Sequence, residues 1–516
     1  MIRTDLIAPI GDILKRQALA QGTKHAFEDQ TGRCISYIDL DRQTANLAGH
    51  LQDLGVLAGD CVALLVPNSV HWILGCLATL RASGISVPIS HDAVEGEILY
   101  RLQDAQCKAI VVSEHHLPLI LRLQAQAPSL QHIVVAADST HADRLNLNDL
   151  CLKPAQSAPR DPQDLHQTAF LVYTSGTTGR AKGVKLTPHG LLWVTAACWA
   201  PIAGLSEHDV MLSPLPLFHS YALSFCVISV VAVGATELIL ERFSTQEVMK
   251  QLQTGRFTLM PGVPTMFHYL LEAGRSIGTG LVNGVRHFIS AGAIMPASLN
   301  REFESTFNAT LLDGYGITET STMVIMNWPG MPRVMGSCGI PLPGLAVRLV
   351  DSQGKDVAPN AEGEVIIRGP SVMPGYHNKP EETAKALVDG WYHTGDLARC
   401  DENGFFTITG RLKELIIRGG QNIAPAEVED AVLSHPDVLD CAVIGVPHPQ
   451  LGEVPVACVV KRPGHELSEA AIKAHCSTQI SAYKVPAQIH EVAAIPRTGS
   501  GKIMRFKLRE SLPSTP

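Results

Sequence analysis

Two hydrophobic rhythms divide the chain. Over the first 335 or so residues, short apolar runs alternate with stretches whose apolar positions recur at helical spacing. Residues 40–54 and 72–82 predict helices, and 61–66, 85–89 and 109–112 predict strands. Strands separated by helices imply βαβ units and a parallel sheet. A stretch rich in Pro, Ser and Asp over 152–167 reads as a loop, followed by an apolar strand at 169–172. The alternation then resumes, with a helix from about Gly190 and strands at 210–212, 237–240, 258–260, 286–290 and 310–312. Segment 221–233 is almost wholly apolar but short for a membrane span, and Glu237 and Glu241 close it off. A buried core helix is the expectation. From about Cys338 the texture shifts to short strands and turns, which fits a small β-barrel or sandwich. Beyond Gly410 a separate unit begins, with helices at 426–433 and 468–480 and strands at 440–444 and 456–460.

Composition narrows the class. A chain of 516 residues is too long for one core. At 46% apolar and 17% charged it suits packed globular domains rather than disorder. A net charge of -8 without a long basic run gives no footprint for nucleic acid. The twelve cysteines contain no C-x-x-C pair, so a zinc site or disulfide framework is not expected, and a cytoplasmic setting is. The N-terminal residues lack the apolar core of a signal peptide, and no transmembrane segment is expected.

The densest chemistry lies in Tyr173-Thr174-Ser175-Gly176-Thr177-Thr178-Gly179-Arg180-Ala181-Lys182-Gly183-Val184, directly after the strand at 169–172. Such a turn exposes backbone N–H groups and adds hydroxyls and an ammonium, which suits a polyphosphate. It is not a Walker A loop, because Gly183 stands where a magnesium-binding hydroxyl is required. From composition alone, a surface loop stands as an equal alternative. Asp313-Gly314-Tyr315-Gly316-Ile317-Thr318-Glu319-Thr320 offers a ring for a nucleobase and a carboxylate for a hard cation, or else a strand-to-helix turn. In Tyr392-His393-Thr394-Gly395-Asp396 a tight turn is predicted before a carboxylate suited to paired ribose hydroxyls.

Read in order, these motifs resemble the adenylate-forming superfamily: acyl- and aryl-CoA ligases, luciferases and adenylation domains. The resemblance covers roughly residues 30–510, with Ala181 where the family usually has proline. It implies an α/β fold with a large N-terminal domain of two doubly wound sheets plus a small β-barrel, over 1–409. A hinge at 410–413 containing Lys413 would lead to a small mobile α+β domain, 414–516. For ATP it implies Thr174, Ser175, Gly176, Thr177, Thr178, Gly179 and Lys182 on the phosphates, Gly314, Tyr315 and Gly316 along the adenine, and Thr318 on phosphate. Glu319 would bind Mg2+, and Asp396 with Arg411 the ribose. Lys502, in Pro496-Arg497-Thr498-Gly499-Ser500-Gly501-Lys502-Ile503, would be the catalytic lysine. His219, Ser220, Tyr221 and Ser224, together with Gly292, Ala293 and Gly316, would line the acyl pocket, with His219 near the acyl carboxylate. Gly419 and Gly420 would line the pantetheine channel.

The implied reaction joins a carboxylic acid to a thiol through acyl-AMP. Coenzyme A is the expected acceptor. The alternatives are a carrier-protein phosphopantetheine, on an acyl or peptidyl carrier protein, and a nucleotide-binding module without catalysis. The helix at 221–233 carries no basic residue, so an apolar acid is expected, aromatic or medium-chain.

Overall fold

The apolar runs of the first half are buried because helices cover both faces of the sheet they form. Strands Cys61–Leu65 and Ala109–Ser113 have no exposed position. A computed structural model describes residues 1–138, 144–174, 181–277, 282, 284–498 and 502–512. In it these strands are central to a seven-stranded sheet, parallel except for its last member, Lys182–Leu186. That strand turns back antiparallel on Phe170–Thr174, with Thr174 opposite Lys182, so the glycine-rich stretch joins a hairpin. A nine-stranded sheet follows, with Thr236–Ile239, Val210–Ser213, Leu259–Gly262, His287–Ser290 and Thr310–Ile317 as a parallel centre. His25–Asp29 joins it beside Thr236–Ile239, more than two hundred positions away in sequence.

One hydrophobic cluster fills the space between the sheets. It joins Leu64 and Val111 of the first, and Trp72 of the helix Val70–Arg81, to Met211, Leu259 and Ile289 of the second, through Trp199, Tyr221 and Phe225. Trp199 ends a π-helical turn, Thr195–Trp199, and Phe225 lies in another, Leu223–Ile228. The predicted core helix is therefore interrupted: Ser220–Ala222, the π turn, then Ser229–Val233, ended by Gly234 at φ +86°. Glu237 does not cap this segment toward solvent. It is 0% exposed, and neither carboxylate oxygen has a hydrogen-bond partner among the described residues. Among those residues no helix is long and apolar enough to cross a membrane.

The short-strand region is a five-stranded antiparallel sheet, Ala346–Val350, Glu362–Arg368, Trp391–Cys400, Leu387–Val388 and Phe406–Arg411. Its strands do not close on themselves among the described residues. Of two motifs readable as turns, one starts in a strand and turns only at Thr318, and the other lies inside a strand. Asp313 to Ile317 belong to Thr310–Ile317, and Asp396 belongs to Trp391–Cys400. Gly395 at φ +69° and the register shifts beside it kink the strand without ending it. The last unit has its own sheet, built around Val438–His448 and Gly452–Lys461, and its own two clusters, which share no residue with those of the preceding chain.

Candidate active site

Strands and helices from the large part of the chain and several segments of the small unit, among them the one carrying Lys502, meet around a cavity of about 330 Å³. Thr310–Ile317 brings Gly314, Tyr315 and Gly316 to its wall, Trp391–Cys400 brings Asp396, and Phe406–Arg411 brings Arg411. Asp396 and Arg411 face each other across the ladder. One Asp396 oxygen accepts from Arg411 Nε at 2.7 Å and the other from the Tyr315 hydroxyl at 2.6 Å. A carboxylate held at both oxygens has its orientation fixed before any ligand arrives. Gly316 lies so close to the next strand that an added Cβ would stand 1.7 Å from the Thr322 carbonyl oxygen.

Lys502 reaches this wall from the small unit. A bridge between Arg497 and Ile503 closes its segment, and its amide donates to Thr498 Oγ1 at 3.1 Å. Gly499, Ser500 and Gly501 lie outside the described residues. Burial and the nearby Arg411 guanidinium lower the Lys502 pKa, while Glu319, Asp396 and Glu414 oppose the shift.

Of the residues expected on the phosphates, Ser175, Gly176, Thr177, Thr178 and Gly179 lie outside the described residues. Thr174 and Lys182 flank that stretch, and Lys182 forms an ion pair with Glu382. Glu319 occupies the short turn Thr318–Thr320, and its Oε1 accepts from the Tyr376 hydroxyl at 3.0 Å. The buried Thr318 hydroxyl pairs with Ser220 at 3.0 Å. Among the described residues no three His, Cys, Asp or Glu side chains converge on a metal-sized space. A hard cation here would share Glu319 with phosphate oxygens, a donor set that fits Mg2+. Neither Tyr376 nor Glu382 stands out in the sequence, since an isolated Tyr or Glu carries no motif.

The residues expected to line an acyl pocket fall into two groups. Gly292, Ala293 and Gly316 line the cavity, with Gly292 at φ +90°. Ser220, Tyr221 and Ser224 are buried and already bonded. The Tyr221 hydroxyl donates to the Ile289 carbonyl at 3.0 Å, and Ser224 Oγ accepts from Trp199 Nε1 at 3.0 Å. Trp199 and Phe225 stack with centroids 4.1 Å apart, and the Tyr221 ring lies parallel to Phe225 at 6.3 Å. His219 caps the helix: its Nδ1 accepts from the Tyr221 amide at 3.3 Å, which leaves the proton on Nε2. Burial, then Lys502, pushes its pKa down to about 3, so it is a neutral donor near pH 7. Gly419 and Gly420 form the turn of the hairpin Ile416–Arg418 to Gln421–Ile423 at φ +56° and +83°, away from the cavity wall. Lys413 sits in the short turn Leu412–Glu414 between the two units.

Fold and site together define a two-unit α/β enzyme whose cavity lies where the units meet. The comparisons with known proteins agree with that class. The family model described as AMP-binding enzyme matches residues 14–377, and that of the AMP-binding enzyme C-terminal domain matches 427–502. The chain belongs to the AMP-binding enzyme family. It is 33% identical over 484 residues to a feruloyl-CoA synthase of an Amycolatopsis species, covering 93% of this chain and 94% of the relative. It is also 33% identical to a medium-chain fatty-acid–CoA ligase of Escherichia coli (strain K12), covering 98% and 90%. A solved anthranilate CoA ligase in complex with anthranoyl-AMP superposes with a TM-score of 0.90 at 28% identity, covering 99% of each chain.

Proposed function

We propose that this chain is an acyl-CoA synthetase that activates an apolar carboxylic acid with ATP and passes the acyl group to coenzyme A. The observation that carries this reading is Lys502 of the small unit lying on one cavity wall with Asp396, Arg411 and Tyr315 of the large one. A carboxylate is a poor electrophile. Attack of its oxygen on the α-phosphorus forms the acyl–phosphate bond and breaks the bond to pyrophosphate, giving a mixed anhydride with AMP as leaving group. Lys502 puts a cation where charge grows on the pentacoordinate phosphorus, and the Nε2 proton of His219 suits the incoming carboxylate. Asp396, already oriented, holds the ribose. Mg2+ held at Glu319 would neutralise charge on the phosphate oxygens. The remaining residues position and orient, so no cysteine need act as a nucleophile.

In the second step the thiol attacks the acyl carbon and AMP leaves. We place the large domain at 1–409, a hinge about Lys413 over 410–413, and the mobile domain at 414–516, whose rotation brings Gly419 and Gly420 to the pantetheine. The Trp199–Phe225 stack, and the absence of a basic residue from the segment 221–233 that carries Phe225, support an aromatic or medium-chain acid. The cysteines, all free thiols and mostly buried, fit a reducing cytoplasm.

The test is incubation with ATP, a panel of carboxylic acids and free coenzyme A, following pyrophosphate and acyl-CoA. An apolar acid should give both. Pyrophosphate without acyl-CoA would overturn the choice of coenzyme A over a carrier protein, and best activity with a small dicarboxylate would overturn the apolar pocket. Lys502→Ala should slow adenylate formation by about 10²–10³-fold, the cost of losing one preorganised charge.

A further inference from the structure

Lys182 has a partner before any nucleotide is present. Besides its ion pair with Glu382, its ammonium stands 5.0 Å from the centroid of the Tyr376 ring. The backbone fixes this meeting. The His377 amide donates to the Gly183 carbonyl at 2.7 Å and the Lys185 amide to Gly375 at 3.1 Å, so residues 375–377 run along the strand that carries Lys182. The Tyr376 amide then donates to Thr383 Oγ1 at 3.0 Å, tying the helix Pro380–Ala386, and Glu382 within it, to the same strand. At the other end of its side chain, the Tyr376 hydroxyl donates to Glu319. One ring thus lies between the phosphate-side lysine and the carboxylate assigned to the metal.

A carboxylate oxygen and a phosphate oxygen offer an ammonium the same charge and the same acceptor geometry. We propose that Glu382 is a displaceable stand-in for a phosphate oxygen of ATP: it holds Lys182 over the Tyr376 ring until the triphosphate takes the lysine from it. Glu382 thereby sets the affinity for ATP without touching the reacting atoms, a role that rests on the ATP-dependent reading above. The pull of Lys182 holds the Glu382 carboxyl below its usual range, so the competitor stays ionised at neutral pH. Both side chains keep some exposure, 26% for Lys182 and 35% for Glu382. The competition therefore has the strength of a surface ion pair, about two- to fivefold in affinity.

The experiment measures binding of α,β-methylene-ATP, which cannot be cleaved to AMP, by calorimetry, alongside KM and kcat for ATP. Glu382→Gln should bind the analogue about two- to fivefold tighter and lower KM to match, with kcat unchanged. Glu381→Gln, which removes the same charge one residue earlier from an exposed side chain, should change neither. Unchanged or weaker binding by Glu382→Gln, or an equal gain in Glu381→Gln, would overturn the proposal. Failure of the unaltered enzyme to bind the analogue would instead remove the ATP reading on which it stands.

Discussion

At the scale of single residues, burial decides what a side chain can be. Glu237 sits in the middle of a sheet with only the nearby Ser213 hydroxyl to offset its desolvation, which drives its pKa far above the carboxylate range. The folded chain therefore holds a proton there that the unfolded chain releases above about pH 4.5. Stability contributed at this position is present below that pH and falls as pH rises, by at most about 1.4 kcal/mol per pH unit. Gln carries no such proton, so the advantage of Glu237→Gln over the unaltered chain should grow between pH 5 and pH 8. Urea midpoints at several pH values check this, and a constant difference would contradict it. The sequence marks Glu237 as the polar end of an apolar segment, because a residue's neighbours along the chain do not reveal the sheet that will enclose it. Asp396 and Lys502 stand out in the sequence only through their motifs' resemblance to the family: alone, Thr-Gly-Asp reads as a turn and the Lys502 run as an exposed basic loop.

At the scale of elements, hydrophobic period located the strands and helices but not their irregularities. A π turn replaces i→i−4 bonds with longer ones and leaves polar groups for side chains to satisfy. Here the Ser229 hydroxyl donates to the Ser224 carbonyl at 2.7 Å and pairs with Thr195 at 2.8 Å, joining the two π turns. Ser229→Ala should lower the urea midpoint by an equivalent of about 1–3 kcal/mol, the usual cost of orphaning buried polar groups. An unchanged midpoint would show that the turns hold without it. Gly-Tyr-Gly and Thr-Gly-Asp proved to lie in strands, with a turn only from Thr318 in the first motif, because they read as turn text when the bulged strand that accommodates their glycines is out of view.

At the scale of the whole molecule, the arrangement of the two units rests on contacts no local pattern announces. Arg462 of the small unit donates to Glu272 of the helix Pro264–Ile277 at 2.6 Å, across 190 positions of sequence. Arg462→Glu should oppose this arrangement and slow adenylate formation about fivefold, leaving transfer from supplied acyl-AMP unaffected. Adding Glu272→Arg should restore the rate, and a double variant no faster than the single would show that the pair does not hold the units together. The family's motif order implied that Lys502 must meet residues hundreds of positions earlier, but only the folded chain shows which residues it meets.

Because the cavity wall is shared, its seal lasts only as long as the two units stay together. The mixed anhydride made inside it is a strong acylating agent, and water competes with the thiol whenever the wall parts. With the domain rotation proposed above, the fraction of activated acid that survives to be transferred is a race between that swing and hydrolysis. Each contact between the units becomes a term in the yield of the enzyme as well as in its speed.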